Sequence, residues 1–515
     1  MRWRAAAAQV LWSGASLGAW QRLRAALDDP AAAQAAVLRR LVAVNRDTAF
    51  GRAHGFAAVQ SITDFQRRVP LATYDELTPW IDRVAGGEPG VLTDAPVHRL
   101  APSSGSTRAV KLLPTTREGQ RELGRAVDAW IADLFVRRPR LLGGPSYWSI
   151  TPAWSAPALP PTRVPVGFAD DSEYLGGARQ WLARAALVVP PPPPAAAGMD
   201  GFRRATLRAL VQAADLRLVS VWHPSFLTLL LDALPHEWDG LLDDLARTQP
   251  RRAARLRRET RPELRAIWPH LALVSCWGDG PAAAPARDLA ARLPGVELQR
   301  KGLMATEGVV TVPFAGLRPL AVRSHFYEFL APDGTVRLAN QLEAGVDYAV
   351  VLTTGSGLYR YRLGDRVRVD GRVGATPSLT FVGRDDRVSD QRGEKLSDSF
   401  VAAALDAVFA SGPRPSFAML APEASPAGLA YTLFVDRDVA TRPALGDALE
   451  RELRRNPHYA WCVDLGQLAP ARLAAVGPGA GQAYLEACVR RGQRLGDVKP
   501  VSLHHRSGWR EVLPC

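Results

Sequence analysis

Four short apolar segments, each followed by turn or helix signals, constrain the fold of this chain more than any other feature of its sequence. They read SYWSIT (146–151), LRLVSVW (216–222), LALVSCW (271–277) and VELQR (296–300). Short apolar strands that alternate with helices are typical of buried sheets, because helices cover the faces of such sheets. The sequence therefore predicts an α/β fold with packed sheets.

The pattern changes twice further along the chain. Between 319 and 382 it becomes a run of strands separated by Gly and Asp turns, which predicts a β-rich subdomain. Helical patterns then return near 397–410, 441–455 and 481–494. We expect a large N-terminal domain over 1–384 and a small, mobile α+β C-terminal domain over 385–515, because single cores rarely exceed about 250–300 residues.

The N-terminal segment and the cysteine spacing indicate the cellular compartment of the protein. The first 20 residues superficially imitate a signal peptide, but Gln9 interrupts the apolar run and a helical pattern continues beyond it, so we predict an N-terminal helix. No window holds the roughly 18 uncharged apolar residues of a membrane span. The cysteines are widely spaced and form no CxxC pair, which favours a reduced, cytoplasmic compartment over a structural zinc site: Cys276, Cys462, Cys488 and Cys515.

A formal net charge of +13 raises the question of nucleic-acid binding. The arginines are spread along the chain with acidic residues between them, so we expect no nucleic-acid partner. Lysine is rare in comparison, and a lysine retained among arginines is expected where a compact ammonium group is needed. The lysines are Lys111, Lys301, Lys395 and Lys499.

A loop of small hydroxyl residues around a glycine is the first candidate binding site. Backbone N–H groups and hydroxyls in such a loop can converge on an anion, and Lys111 lies just beyond it. The spacing is not that of the GxxxxGK[ST] loop. The loop residues are Ser103, Ser104, Gly105, Ser106 and Thr107.

Two acidic residues lie where strands end. Glu307 follows Thr306 in the segment GLMATEG (302–308), and a carboxylate on such a turn can hold Mg²⁺ against a triphosphate. Asp365 ends YRYRLGD, a position where an acidic side chain can accept the hydroxyls of a ribose. The segments GRDD (383–386), GEKLS and GDVKP follow in order, the last of them with Lys499.

The order of these motifs resembles that of the adenylate-forming superfamily, which includes acyl-CoA ligases, luciferases and peptide-synthetase adenylation domains. The flanking segments resemble the Gretchen Hagen 3, or auxin-responsive, acyl acid amido synthetases, with the texture of a bacterial branch. The resemblance covers about residues 36 to 505. The segments that carry it are 45–56, 65–93, 220–227, 323–330 and 455–468.

The resemblance implies a ligase that uses ATP and Mg²⁺ in two half-reactions. A carboxylic acid attacks the α-phosphate of ATP to give an acyl adenylate and pyrophosphate, and the amine of an amino acid then displaces AMP. It also implies roles for particular residues: the loop 103–107 and Lys111 bind phosphates, Thr306 binds the nucleotide, Glu307 holds Mg²⁺, Asp365 binds the ribose with Arg384 beside it, and Lys499 bridges the carboxylate and the α-phosphate.

Aromatic residues near these motifs are candidates for the acyl pocket, with plain core packing as the alternative for each of them: Trp148, Trp222, Phe326 and Tyr327. In three places the chain departs from many relatives. Arg108 and Val110 stand where those relatives carry Gly and Pro, and Met304 stands where they often place a residue that stacks on adenine.

Two other functions stay open at this point. One is an acyl-CoA or acyl-carrier ligase that shares the adenylation step but uses a thiol acceptor. The other is a binding protein that keeps the fold without catalysis. No HExxH or Ser-His-Asp layout is present, which argues against metalloprotease and hydrolase functions. We expect small-molecule acid and amine partners, no membrane partner, and a monomer or weak dimer.

Overall fold

The computed structural model of the chain describes residues 2–103, 111–149, 162–167, 181–182, 185–191, 198–259, 261–384, 388–389, 391–392, 394, 396–410, 412–425, 428–491, 493 and 498–515. The chain divides into two compact units. The larger contains Met1–Ser103, Lys111–Leu363 and Arg368–Thr380, and the smaller contains Gly364–Val367 and Phe381–Cys515. The domain boundary expected after residue 384 adjoins residues outside the described ranges and stays a prediction.

Helices make up much of the larger unit. The predicted N-terminal helix is present. The fourth helix begins after Ser61, whose hydroxyl accepts a hydrogen bond from the backbone N–H of Asp64 (3.0 Å). In chain order the helices are α1 (Arg2–Ala26), α2 (Pro30–Val44), α3 (Ala49–Ala53), α4 (Ile62–Arg68), α5 (Tyr74–Ala85), α6 (Arg117–Arg137), α7 (Gly198–Gln212), α8 (Pro224–Thr248), α9 (Pro250–Leu256), α10 (Leu264–Ile267) and α11 (Ala283–Arg292).

An antiparallel pair, β1 (Val97–Ser103) and β2 (Lys111–Thr116), precedes α6. The four predicted strands are confirmed and lie side by side in one parallel sheet. They are, in both chain and spatial order, β3 (Ser146–Trp148), β4 (Leu218–Ser220), β5 (Leu273–Cys276) and β6 (Glu297–Arg300).

Helices cover both faces of this parallel sheet, as its apolar strands require. Val219 and Val274 point to one face and pack with α7, α8 and α11. Leu218 and Leu273 point to the other face and pack against α1 and α6. Because side chains alternate along a strand, every second residue of β3 to β6 faces α6.

The β-rich pattern after 319 is also confirmed. A short hairpin comes first, formed by β7 (Met304–Ala305) and β8 (Gly308–Val309). A five-stranded sheet follows in the order β10-β9-β11-β12-β13. Its strands are β9 (Phe326–Leu330), β10 (Val336–Arg337), β11 (Asp347–Thr353), β12 (Tyr361–Val373) and β13 (Thr376–Arg384).

The smaller unit contains two short sheets and the three predicted C-terminal helices. Residues of β17 alternate between two cores: Leu433 packs on one side and Phe434 on the other. The sequence patterns predicted these helices and an α+β unit, but not which segments form the strands of its central sheet. Its elements are β14 (Val388–Ser389), β15 (Leu396–Ser397), α12 (Asp398–Val408), β16 (Ala418–Ser425), β17 (Gly428–Asp436), α13 (Arg437–Ala440), α14 (Leu445–Leu453), α15 (Pro457–Asp464), β18 (Ala469–Val476) and α16 (Ala480–Arg490).

No helix within the described ranges is long and apolar enough to cross a membrane.

Candidate active site

The hairpin β7–β8 carries Thr306 and Glu307 at its tip. Thr306 is exposed and Glu307 is partly exposed, so the carboxylate is accessible to a ligand. Carboxylate and phosphate oxygens are the ligands that Mg²⁺ prefers. The described residues contain no cluster of three or more acidic, His or Cys side chains suited to a metal. An ion held at Glu307 would have to take its other ligands from phosphates and water.

A buried glutamate–histidine pair supports this hairpin. The backbone N–H of Val309 donates to Nε2 of His325 (3.2 Å), which leaves the proton on Nδ1. Nδ1 donates to Glu122 on α6 (2.9 Å), whose side chain is completely buried. A Cβ at Gly308 would lie 2.8 Å from Nε2 of His325, so glycine is required where the hairpin contacts the ring. These contacts fix the backbone beside Glu307.

Glu122 also joins the hairpin support to two other segments. It accepts the backbone N–H of Gly355 (2.8 Å) and lies 3.3 Å from Nη2 of Arg40 on α2. Sequence analysis did not predict Glu122 or His325 as functional residues. The available signal was an acidic residue within the long apolar pattern of α6, but a partner 203 residues away cannot be identified from that pattern.

The candidate phosphate loop lies between β1 and β2. Ser103 ends β1 and is paired in register with Lys111, which begins β2. Nζ of Lys111 lies 5.5 Å from the centre of the Tyr74 ring, and the Tyr74 hydroxyl accepts the backbone N–H of Leu112 (2.8 Å). The neighbouring candidates Ser104, Gly105, Ser106 and Thr107, and the departures Arg108 and Val110, lie outside the described residues.

Asp365 and Arg384, predicted together as ribose-binding residues, are adjacent in the smaller unit. The predicted position of Asp365 at a strand end is wrong, because β12 continues from Tyr361 to Val373, whereas Arg384 does end β13. Nη1 of Arg384 lies 2.9 Å from Oδ1 of Asp365. Asp365 is almost fully buried, whereas Arg384 is partly exposed. The carboxylate oxygens of Asp365 can accept hydrogen bonds from hydroxyl groups.

Lys499 has a fixed backbone and a partly exposed side chain. Val498 and Val501 are buried on either side of it, and the Tyr484 hydroxyl donates to its carbonyl oxygen (3.1 Å). Packing on both sides holds the backbone in place while the ammonium group stays accessible. Lys395, in the GEKLS segment, lies outside the described residues.

Two other charged residues in the motifs have structural partners. Arg360 has a positive φ of 45° and forms a buried two-pronged ion pair with Glu328, with both N–O distances at 2.9 Å. Glu394 is fully buried and accepts the backbone N–H groups of Gln391 and Arg392, both at 2.7 Å. These contacts stabilise turns beside the motifs.

The four aromatic candidates for the acyl pocket separate into two pairs. Phe326 and Tyr327 have no exposed surface, and the Tyr327 hydroxyl donates to the carbonyl of Val309 (2.6 Å). Both rings pack in the core, where they offer no surface to a ligand. Trp148 and Trp222 are only partly buried and lie at the carboxyl ends of β3 and β4.

Lys301 lies at the same edge of the parallel sheet as these two tryptophans. Its backbone N–H donates to the carbonyl of Cys276 (2.7 Å), which extends the strand ladder beyond β6. Its Nζ lies 4.3 Å from the Trp222 ring centre and 5.8 Å from that of Trp130 on α6. The residue is only 5% exposed. Burial lowers the pKa of its ammonium group from 10.5 to about 7.

This lowered pKa predicts pH-dependent stability. Above pH 7 the native lysine is neutral while the unfolded chain keeps its proton up to about pH 10.5, so unfolding takes up a proton. The free energy of unfolding should therefore rise from pH 7 to 8.5, by up to about 1.4 kcal/mol per pH unit. Urea unfolding of wild type and Lys301→Met measures it, and the difference between the two should shrink as pH rises.

A matched control is Arg300→Met, which removes a positive charge from the neighbouring, exposed side chain. Its difference from wild type should not change between pH 7 and 8.5. A parallel pH dependence in wild type and Lys301→Met would contradict the lowered pKa. The Cys276 thiol does not interfere in this range, because burial raises its pKa to about 12.

Two family descriptions match most of the chain. Residues 19–297 match the GH3 family N-terminal domain and residues 319–384 match the GH3 family central domain. The first match alone spans more than half of the sequence and contains β3, β4 and β5 of the parallel sheet. The second match contains His325, Asp365 and Arg384, whereas the β7–β8 hairpin with Glu307 lies between the two matches.

Individual relatives agree with these matches. A probable indole-3-acetic acid-amido synthetase, GH3.12 of Oryza sativa subsp. japonica, is 25% identical over 471 residues, which cover 73% of each chain. Indole-3-acetic acid-amido synthetase GH3.3 of Arabidopsis thaliana is 23% identical over 72% of this chain and 70% of its own. The solved structure of AtGH3.15 acyl acid amido synthetase in complex with 2,4-DB superposes with a TM-score of 0.80 at 19% identity, covering 97% of this chain and 96% of that one.

Proposed function

The chain belongs to the GH3 family, and on that premise we propose that it is an ATP-dependent acyl acid amido synthetase, a ligase that forms carbon–nitrogen bonds. It activates a carboxylic acid as an acyl adenylate and transfers the acyl group to the amine of an amino acid. One observation carries the proposal. In a chain of this family, the partly exposed Glu307 lies on a hairpin whose backbone is hydrogen-bonded to the buried His325–Glu122 pair.

The first half-reaction depends on charge neutralisation around the phosphates. We assign phosphate binding to the loop 103–107 and Lys111, and Mg²⁺ to Glu307; when bound, the ion neutralises phosphate charge. Asp365, which lies beside Arg384, accepts the ribose hydroxyls. Lys499 supplies a point charge that brings the carboxylate oxygen to the α-phosphate, and Thr306 contacts the nucleotide.

In the second half-reaction the amine attacks the acyl carbon and AMP leaves. The bond that breaks is the mixed anhydride between the acyl group and AMP, and the bond that forms is an amide. Trp148 and Trp222 contribute to the acyl pocket. Phe326 and Tyr327 are left out of it because their rings are fully buried.

The acceptor is tested by AMP release. The purified protein is incubated with ATP, Mg²⁺ and a panel of aryl, indolyl and fatty acids, each with either the common amino acids or coenzyme A. Pyrophosphate release that depends on the acid, followed by AMP release that depends on an amino acid, is the expected result. AMP release with coenzyme A alone would identify a thioester ligase, and no ATP–pyrophosphate exchange with any acid would indicate a non-catalytic protein.

Asp365→Ala is expected to raise the KM for ATP. Each charge-assisted hydrogen bond to the ribose contributes about 1.5–3 kcal/mol, which corresponds to roughly a 10- to 150-fold change. The measurement compares ATP with 2′,3′-dideoxy-ATP in pyrophosphate exchange. Wild type should prefer ATP and the variant should not. Equal use of both nucleotides by wild type would remove Asp365 from ribose binding.

Several further assignments complete the proposal. The ATP requirement and the cysteine spacing support a cytoplasmic protein, and the sequence texture supports a bacterial source. We also propose small-molecule acid and amino acid partners, no nucleic-acid or membrane partner, and a monomer or weak dimer.

A further inference from the structure

The side-chain amine of Lys301 lies among tryptophans at the carboxyl edge of the parallel sheet. The strand ladder continues past the strand ends, since the N–H of Trp277 donates to the carbonyl of Trp222 (2.8 Å). Residues two apart along each strand point to one face, so Trp222, Trp277 and Lys301 share the face that carries Ser220, Ser275 and Gln299. This is also the edge at which ligands bind in open α/β sheets.

Two tryptophan rings lie against the Lys301 amine, and each of them packs against a further tryptophan ring. We call this group the tryptophan cluster; it consists of Trp130, Trp148, Trp222, Trp277 and Lys301. The ring centres of Trp222 and Trp277 lie 5.6 Å apart, and those of Trp130 and Trp148 lie 5.5 Å apart. Trp148, Trp222 and Trp277 are only partly buried, so part of each ring can contact a ligand. Flat apolar surfaces of this kind suit a flat apolar molecule.

The amine of Lys301 lies against the rings of Trp130 and Trp222, and no hydrogen bond or ion pair of this amine is found among the described residues. Oγ of Ser220, whose residue is 2% exposed, is also without a hydrogen bond. In contrast, Oε1 of the neighbouring Gln299 accepts from Trp130 and from Ser275, both at 3.1 Å. Buried donors that lack an acceptor are expected to receive one from a ligand.

We propose that Lys301 is a specificity-determining residue that binds a second oxygen of the acyl substrate, distinct from the carboxylate that reacts. The substrate class is then a carboxylic acid with a flat apolar body and an additional hydroxyl, carbonyl or carboxylate oxygen. The inference rests on the proposed function and names its acid. The body of the acid contacts Trp222 and Trp277, and the additional oxygen accepts from Lys301, with the Ser220 hydroxyl as a second donor.

The chemistry of the first half-reaction favours the second oxygen over the reacting carboxylate. In the proposed function Lys499 already contacts the reacting carboxylate and brings it to the α-phosphate, so the Lys301 amine is assigned to a different oxygen of the acid. Lys301 is also anchored, because its backbone belongs to the strand ladder and its side chain is enclosed by rings. An anchored donor is suited to recognising a fixed part of a substrate rather than a group that changes bonding partner.

The test compares phenylacetate with its ring-hydroxylated and ring-carboxylated derivatives, and with cyclohexylacetate. Acid binding is read from tryptophan fluorescence without ATP, and adenylation from pyrophosphate release. In wild type, at least one oxygen-bearing derivative should bind about 10- to 100-fold more tightly than phenylacetate. Cyclohexylacetate should bind about 2- to 10-fold more weakly than phenylacetate, because it lacks a ring that stacks.

Lys301→Met should abolish the preference for the additional oxygen and leave phenylacetate binding within about twofold. Methionine is similar in length and apolar, so it suits the surrounding rings. Arg300→Met is the matched control and should keep the preference. Overturning results are an equal loss for all acids in Lys301→Met, which would assign Lys301 to the reacting carboxylate, or a wild type that prefers no oxygen-bearing acid.

The two readouts separate this inference from the proposed function. Binding that depends on Lys301 without any pyrophosphate release would support the tryptophan cluster as an acid site and reject the ligase activity. Pyrophosphate release that is identical in wild type and Lys301→Met for every acid would keep the ligase activity and reject the role of Lys301.

Discussion

Replacing Glu307 by alanine is expected to abolish adenylation, with a loss of about a thousandfold or more in ATP–pyrophosphate exchange. The carboxylate is the proposed protein ligand of Mg²⁺, and such an ion contributes several kcal/mol of charge stabilisation in phosphoryl-transfer transition states. The described residues contain no cluster of three or more His, Cys, Asp or Glu side chains that could hold a metal, so no neighbouring group is expected to replace the carboxylate.

The fold should survive this substitution. Glu307 is partly exposed on a turn, and surface substitutions usually change the free energy of unfolding by about 0.5 kcal/mol or less. Glu343→Ala, at another exposed glutamate of the same unit, is the matched control and should keep full activity. Wild-type exchange by Glu307→Ala, or a lowered melting temperature that accounts for the loss, would contradict the metal assignment.

The secondary structure was predictable where one local pattern dominated. The four strands of the parallel sheet were each marked by a short apolar run, and the structure confirms all four. The strands are shorter than predicted; for example, only Ser146–Trp148 of the segment 146–151 forms a strand. Local patterns also predicted the N-terminal helix and the three C-terminal helices. The central sheet of the smaller unit was not predictable in the same way. One of its strands, β18, is rich in alanine, which has little β-propensity of its own.

Partners that lie far apart in the sequence were not predictable. The ion pair of Arg360 with Glu328 and the hydrogen bond of His325 to Glu122 each join different segments. The sequence does not show whether a glutamate on α6 points into the protein core or into water. Only the folded structure distinguishes these two cases. Arg360 and Glu394 also show that a motif contains residues that stabilise its turns beside those that bind a ligand.

Some features of the candidate active site were predictable from the sequence, and others depend on contacts between distant segments. The predicted pairing of Asp365 with Arg384 agrees with their 2.9 Å separation, although the ribose they are proposed to bind is a separate prediction. The scarcity of lysine drew attention to Lys301, but its position gave no role. The role inferred above depends on strand register, which brings Lys301 beside Trp222 and which the sequence alone does not determine.

Lys499→Ala is expected to lower the rate of adenylation by about two to three orders of magnitude. This is the loss typical of removing one preorganised donor that stabilises charge in a transition state. Val498, Val501 and Tyr484 hold the backbone in place, so the alanine variant should fold normally and lose only the ammonium group. Pyrophosphate release with a saturating acid measures the effect. Arg506→Ala, at an exposed arginine of the same unit, is the matched control.

Two further measurements distinguish a catalytic Lys499 from a structural or surface residue. Lys499→Arg should also fail, because a planar, forked guanidinium cannot replace a point charge between a carboxylate and a phosphate oxygen. Amide formation from a chemically synthesised acyl adenylate should stay near the wild-type rate in both variants, because the proposed role of Lys499 ends when pyrophosphate leaves. If both steps fell equally, or if Lys499→Arg kept full activity, the ammonium group would have no specific part in the first half-reaction, and phosphate charge would have to be neutralised by Lys111 and Mg²⁺ alone.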